Sequence, residues 1–364
     1  MSHPEFPEGV AVVYCEGCYG STYGKTAHGL VRFTRRYNVA AVIDSTMAGQ
    51  DAGAALDGAA RDIPIVATLA AALEAIEQDG RRATHFVIGM APDGGVLDSS
   101  ARAAVLEAVD SGLNVDSGLH IFLDEDEELC EAAFSAGVQL RDIRRPPARS
   151  QLHFFSGKIE EVDSLVVAVL GTDSAVGKRT TAFLLADGLV EHGLTAEVIG
   201  TGQTAWLQGA RHGIILDSLV NDFVAGELEH AVWSAWSELR PDVILVEGQG
   251  SLMHPAYPGG FEILAATRPR GVILQHAPAR RDYDGFPGYE IPSVERHIAA
   301  IELISPTRTL GIAVNGERLE ATEAGEISAR LATQTGLPTL DPVAGDPTPL
   351  VEAIRALGGE SPSV

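Results

Sequence analysis

The chain of 364 residues is short of cysteine, with three, and of lysine, also with three. Three cysteines cannot build a disulfide framework, and only Cys15 and Cys18 stand close together, in "CEGC". A structural zinc site wants four ligands, and no second pair follows. Two small buried-type residues in a loop are the plainer reading, with redox use the alternative. Long apolar runs are missing too: none reaches the roughly 18 residues of a membrane span. The opening "MSHPEFPEGV" has neither the basic nor the apolar region of a secretory signal. A cytoplasmic protein with no membrane partner is expected.

Positive charge is scarce. Lys and Arg together number 26 against 50 Asp and Glu, which leaves a formal charge of −24. Nucleic-acid binding leaves a broad basic footprint, so no such partner is expected. An acid excess with few lysines suits a halophile's salty cytoplasm, where a highly charged surface stays soluble. Arginine-favouring codon usage is the alternative to that halophile reading. Two of the three lysines, Lys25 and Lys178, nevertheless sit in glycine-rich loops.

Apolar residues are plentiful at 45%, enough for buried cores, and the length suggests two domains. The first half alternates strands ("GVAVVY", "NVAAVIDS", "DIPIVATL", "THFVIGM") with helices ("KTAHGLVRF", "LAAALEAIEQ", "SSARAAVLEAV", "DEELCEAAFSA"). Strands separated by helices imply a parallel sheet covered on both faces, a Rossmann-like α/β domain. Pro146 and Pro147 forbid a continuing helix and mark the boundary. Residues 1–147 are expected to form the Rossmann-like domain and 148–364 a second parallel-sheet domain of P-loop type. Its strands are "SLVVAVLG", "TAEVIGTG", "HGIILDS", "DVILVEG", "RGVILQH" and "TLGIAVN". The final "GGESPSV" reads as a frayed tail.

The chemistry concentrates after "SLVVAVLG". In the stretch Gly171, Thr172, Asp173, Ser174, Ala175, Val176, Gly177, Lys178, an apolar strand runs through a glycine loop into a helix. A phosphate loop normally reads GxxxxGK and then Ser or Thr; its backbone N–H groups surround phosphate, its Lys reaches the terminal phosphates and its hydroxyl binds Mg²⁺. Here the glycine spacing is one residue longer, and Arg179 stands where the hydroxyl belongs, with Thr180 and Thr181 after it. The pattern argues strongly for a diphosphate and only weakly for phosphoryl transfer. Glu247 ends an apolar strand in "VILVEGQG", as an acid would that holds Mg²⁺ together with Thr180. Further polar groups sit where strands end: His254 and Asp217 as candidate acid–base groups, Gln203 as a substrate contact, and Asn315 as a reader of an adenine edge. Arg280 and Arg281 suit a substrate carboxylate. In the first half, "EGCYGSTYGKTAHG" imitates a phosphate loop with one residue too few, and Asp44 ends the second strand where a ribose-binding acid would sit.

Together these motifs resemble a known family. "GTDSAVGK", "LVEGQG" and "AVNGE" are similar to the phosphate loop, acid–glycine loop and adenine-reading Asn of dethiobiotin synthetase. With "GKTAHGLVRFTRRYNVAAVIDS", "GTGQTAWLQG", "VEGQGSLMHPAY" and "GFEILAATRPRGVILQHAPARRDYDGFP", nearly the whole chain resembles a two-domain family formerly of unknown function that includes D-glutamate N-acetyltransferases. The resemblance implies a Rossmann-like domain followed by a dethiobiotin-synthetase-like P-loop domain. It also implies acetyl transfer from acetyl-CoA to an acidic amino acid, D-glutamate, in amino-acid breakdown beside an enolase-superfamily epimerase. A homo-oligomer is the expected assembly. The residues by themselves favour an ATP- and Mg²⁺-dependent kinase-like or ligase-like step on a small carboxylate. A nucleotide-binding protein without catalysis is the third reading.

Overall fold

The computed structural model describes residues 6–359, so the tail from Glu360 onward lies outside the described residues. The chain divides into two compact units. One runs to Pro146 and also takes Gly202–Ala210; the other holds Pro147–Thr201 and the chain from Arg211. Among the described residues no helix is long and apolar enough to cross a membrane.

The first unit is a Rossmann-like parallel sheet of six strands: β1 (Gly9–Tyr14), β2 (Tyr37–Ile43), β3 (Ile65–Val66), β4 (His85–Ile88), β5 (Asn114–Ser117) and β6 (Leu140–Asp142). Their order is β3-β2-β1-β4-β5-β6. Alternate residues feed opposite faces. Val12, Ile43 and Phe86 pack in one core, while Ala11, Val13, Val42 and Val87 pack in the other. Both faces are buried, which is why the strands read as unbroken apolar runs. The strand order reverses between β1 and β4, where such sheets open a crevice.

Two elements differ from the sequence reading. "DIPIVATL" keeps only two strand residues, because Pro64 lacks an N–H and Thr68 already caps the next helix, accepting from Ala71 N at 3.2 Å. The segment around Asp116, absent from the strands expected from sequence, forms β5. Its buried carboxylate is satisfied by Tyr37 Oη, which donates at 2.6 Å, and by Arg141 Nη2 at 2.8 Å.

The helix Gln203–Gln208 is built into this unit although its neighbours in sequence belong to the other. Gln208 Nε2 donates at the end of helix Lys25–Arg32, to Phe33 O at 2.8 Å and to Gly29 O at 2.7 Å, which also accepts from Phe33 N. Arg36 lies 3.6 Å over the Trp206 ring and donates from Nε to Trp206 O at 2.7 Å. That stacking suits a planar guanidinium better than an ammonium.

The second unit is a seven-stranded parallel sheet: β7 (Leu165–Gly171), β8 (Ala196–Gly200), β9 (His212–Gly213), β10 (Val243–Glu247), β11 (Gly271–His276), β12 (Arg308–Val314) and β13 (Thr339–Leu340). The order is β13-β12-β11-β7-β10-β8-β9, with β7 wholly buried at the centre. The strand expected over "HGIILDS" is only two residues long. Its sole neighbour, β8, ends at Gly200, so pairing stops at Gly213 and Asp217 falls in the short turn Leu216–Ser218.

Candidate functional site

β7 delivers the loop Gly171–Gly177 to the N-terminus of helix Lys178–Glu191. The two glycines that flank the lysine stem are required by space. A Cβ on Gly171 would lie 2.9 Å from Lys178 Cδ, and one on Gly248 would lie 3.0 Å from it. The loop also turns through left-handed backbone at Ala175 (φ 50°) and Gly177 (φ 108°). Lys178 is buried. Its Nζ donates to Asp173 O at 2.7 Å and to Gly250 O at 3.0 Å, which commits two of its three N–H groups. Burial pushes its pKa down to about 8, against the pull of Glu247 and Asp173.

The loop is braced from every side. Asp173 Oδ2 accepts from Arg280 Nη1 at 2.9 Å and from Asp284 N at 3.0 Å. Arg280 also reaches Ser174 O at 2.8 Å and Ala175 O at 3.2 Å, and its Nε donates to Glu317. It thus clamps the loop and has no fork left for a substrate carboxylate. Arg281 is exposed and pairs with Glu290. Asn315 Nδ2 donates to Val176 O at 3.0 Å and its Oδ1 accepts from Glu317 N at 3.0 Å, so the amide holds the loop. Thr172 Oγ1 lies 3.0 Å from His276 Nδ1, and Thr181 Oγ1 donates to Gln275 Oε1.

Glu247 ends β10 beside β7, buried, with its Oε2 accepting from Thr201 N at 2.8 Å. Burial raises its carboxyl pKa; Arg179, the Thr201 amide and Lys178 pull it back. His254, on the loop after β10, is buried as well. Its Nδ1 accepts from Ala256 N at 3.1 Å and Tyr257 N at 3.0 Å. Backbone amides only donate, so the neutral ring carries its proton on Nε2. That Nε2 is buried without a hydrogen-bond partner, 3.5 Å from Asp173 Oδ1. Burial lowers the ring's pKa, against the pull of Asp173. Tyr257, Tyr283 and Phe286 surround it, with centroids 4.9, 4.6 and 5.3 Å away.

The second unit therefore brings together Lys178, Asp173, Glu247, His254 and Arg280. Asp217 is exposed on its turn, and Gln203 lies in the first unit. The aromatic wall around His254 escapes a motif search; its signal in sequence is partial, the run "YDGFPGYE" supplying Tyr283 and Phe286 while Tyr257 lies on the loop after β10.

Family models match in two places: a Rossmann-like domain of unknown function, the N-terminal DUF1611 domain, over residues 45–146, and the DUF1611 P-loop domain over 153–351. The chain belongs to the DUF1611 family. Within it, the chain is 33% identical over 267 residues to the D-glutamate N-acetyltransferase of a Pseudoalteromonas species, covering 72% of this chain and 78% of that protein. It is 31% identical over 286 residues to the enzyme of the same name from Tritonibacter scottomollicae, covering 76% and 82%. The crystal structure of a DUF1611 family protein from Anabaena variabilis superposes with a TM-score of 0.87 at 29% identity, covering 95% of this chain and 99% of that one. The chain is thus linked, at family level, to enzymes of the D-glutamate N-acetyltransferase type.

Proposed function

We propose that the protein is an N-acetyltransferase that moves the acetyl group of acetyl-CoA to the amine of an acidic amino acid, D-glutamate first among them. The observation that carries this reading is the surplus of buried donors at the phosphate loop. Lys178 keeps one N–H uncommitted and His254 Nε2–H, 3.5 Å from Asp173 Oδ1, makes no hydrogen bond, so the cluster is built to receive an acceptor-rich ligand. Acetyl-CoA supplies such acceptors in its diphosphate and its thioester carbonyl. The identity to two D-glutamate N-acetyltransferases supports the substrate pair.

In the reaction, the amine nitrogen attacks the thioester carbon, the N–C bond forms and the C–S bond breaks. CoA leaves as a thiolate and is protonated, and the nitrogen sheds a proton. Lys178 and the loop amides hold the diphosphate. His254 donates from Nε2 to the oxygen on which charge develops. With Nδ1 accepting from two backbone amides, His254 takes the donor's part in this proposal and not the base's. Asp217 is left as the acceptor of the ammonium proton, and Arg281 as the arginine for a substrate carboxylate. Positioning does much of the work, because a thioester is already activated.

The test is to incubate the purified protein with D-glutamate and either acetyl-CoA or Mg-ATP, and to follow mass and ADP. N-acetylglutamate formed with acetyl-CoA alone is the expected result. ADP release that depends on the amino acid would establish the kinase-like reading instead, which the intact Lys178 and Glu247 favour. Tight nucleotide binding without turnover would leave a binding protein.

A further inference from the structure

An enzyme that moves an acetyl group from a thioester to an amine competes with water. Water attacking the same carbon forms a C–O bond, breaks the C–S bond and yields acetate and the free thiol, so the carbonyl has to be kept dry. The surroundings of His254 meet that need. Its side chain has an exposure of 0%. Three aromatic rings wall it, with centroids at 4.6 Å for Tyr283, 4.9 Å for Tyr257 and 5.3 Å for Phe286, which stands edge-on at 88°. Phe286 also meets Tyr257 at 6.1 Å and Tyr289 at 6.4 Å. Tyr257 and Tyr289 are 55% and 58% exposed, so the wall stands between His254 and bulk water. Nε2 meets the phosphate loop instead, 3.5 Å from Asp173 Oδ1, which is the side from which a loop-bound ligand approaches.

Tyr283 and Phe286 belong to one arm, residues 277–291, that follows β11. The arm is folded on itself. Ile291 N donates to Arg281 O at 2.8 Å, Tyr283 N to Tyr289 O at 2.9 Å and Gly288 N to Asp282 Oδ2 at 2.8 Å. It is also fastened to the site it covers. Arg280 Nη1 and Asp284 N both donate to Asp173 Oδ2, at 2.9 and 3.0 Å, and Tyr283 Oη donates to Met253 O at 2.9 Å. We infer that this wall decides the acceptor: it excludes water from the carbonyl that His254 polarises and so reserves the acetyl group for a bound amine. The inference rests on the acetyl-transfer reading. Phe286 is the member to probe, because it touches both His254 and Tyr257 and its ring carries no polar group. Truncating it opens the wall without removing a side-chain hydrogen bond.

The test gives the purified full-length protein acetyl-CoA with and without D-glutamate, and counts free thiol against N-acetylglutamate. It uses the wild type, Phe286→Ala and Phe286→Leu. The wild type is expected to release thiol and product in equal amounts, and without the amino acid to release thiol no faster than buffer does. Phe286→Ala is expected to release thiol without the amino acid about tenfold faster than the wild type, and Phe286→Leu to restore most of the seal. A merely structural role for Phe286 would lower transfer and hydrolysis together and leave their ratio unchanged, which would overturn the inference. So would a wild type that hydrolyses acetyl-CoA alone as fast as it acetylates D-glutamate. Either result leaves acetyl transfer standing. A wild type that forms no N-acetylglutamate would overturn that reading and the inference with it. The wild-type measurement needs no variant, so the test stands even if a substitution unfolds the chain.

Discussion

The loops after β1 and β7 begin alike. Each leaves a buried parallel strand, carries glycines and a lysine, enters a helix, and faces an acid at the end of a neighbouring strand. Their polar groups are spent differently. In the first unit Asp44 is fully buried, yet it is satisfied by its own surroundings. Oδ2 accepts from Tyr19 N at 2.9 Å, and Oδ1 accepts from Thr46 N at 2.9 Å and from Thr46 Oγ1. His28 Nε2 is engaged with Tyr19 O at 2.6 Å, and Lys25 is exposed. In the second unit Lys178 is buried with a donor to spare, and His254 Nε2 makes no hydrogen bond. A turn uses up its buried hydrogen-bonding capacity, whereas a binding site keeps some in reserve. By that measure the second loop, rather than the first, carries the ligand site proposed above.

The contrast is sharpest for the two lysines. Lys178→Ala is expected to weaken CoA binding by about 100-fold, since it removes charge-assisted bonds to phosphate. Lys25→Ala should change it by less than about twofold, as befits an exposed charge. Titration calorimetry on both variants reads the difference directly. Next in size, His254→Ala is expected to lower kcat by about 100-fold and leave the KM for acetyl-CoA nearly unchanged, as loss of an oxyanion donor does. A large rise in KM alone would assign His254 to ground-state binding.

The affinity for CoA should also depend on pH. Anion binding favours charged Lys178, so affinity is complete below its pKa of about 8 and declines as pH rises through that value. Calorimetry between pH 6.5 and 9.5 follows this, and an affinity that climbs with pH would be incompatible with the lysine's assigned role. Asp217→Asn is expected to cost about tenfold in kcat, at the low end of acid–base contributions. Steady-state rates measure it, and an unchanged rate would remove Asp217 from the chemistry. The smallest effect on catalysis belongs to Asp44→Asn in the other loop. It should leave kcat within about twofold but lower stability by about 1–3 kcal/mol, because the new amide turns donor against donor in a buried turn. Thermal unfolding beside a rate assay separates the two outcomes.

Much of this contrast was out of reach of sequence. The parallel sheets were legible because buried strands of Val, Ile and Leu alternate with helices of apolar periodicity. The phosphate loop was legible because Gly and Lys recur at fixed spacing on a strand–helix junction. Which polar side chains stay available was not. Arg280 and Asn315 lie on loops that suggest ligand contacts, yet Asp173 and the backbone of the phosphate loop claim them across more than 100 residues of chain, and Glu317 claims Arg280 as well. His254 reads as a possible base until two neighbouring amides fix its proton on Nε2. The paired cysteines carried an ambiguity that burial narrows. Both thiols are free, and burial raises the pKa of each, away from a reactive thiolate. The placement of Gln203–Gln208 in the first unit follows from Gln208, Trp206 and Arg36 meeting in space, which no local pattern announces.

In the proposed function the buried donors of the second unit bind acetyl-CoA for acetyl transfer. The most direct measurement is acetyl transfer from acetyl-CoA to D-glutamate in EDTA, comparing wild type, Lys178→Ala and Lys25→Ala by mass spectrometry of the product. N-acetylglutamate is expected from wild type and Lys25→Ala at similar rates, and about 100-fold less from Lys178→Ala at limiting acetyl-CoA. Equal rates from all three proteins, or product only when Mg-ATP is supplied, would contradict it.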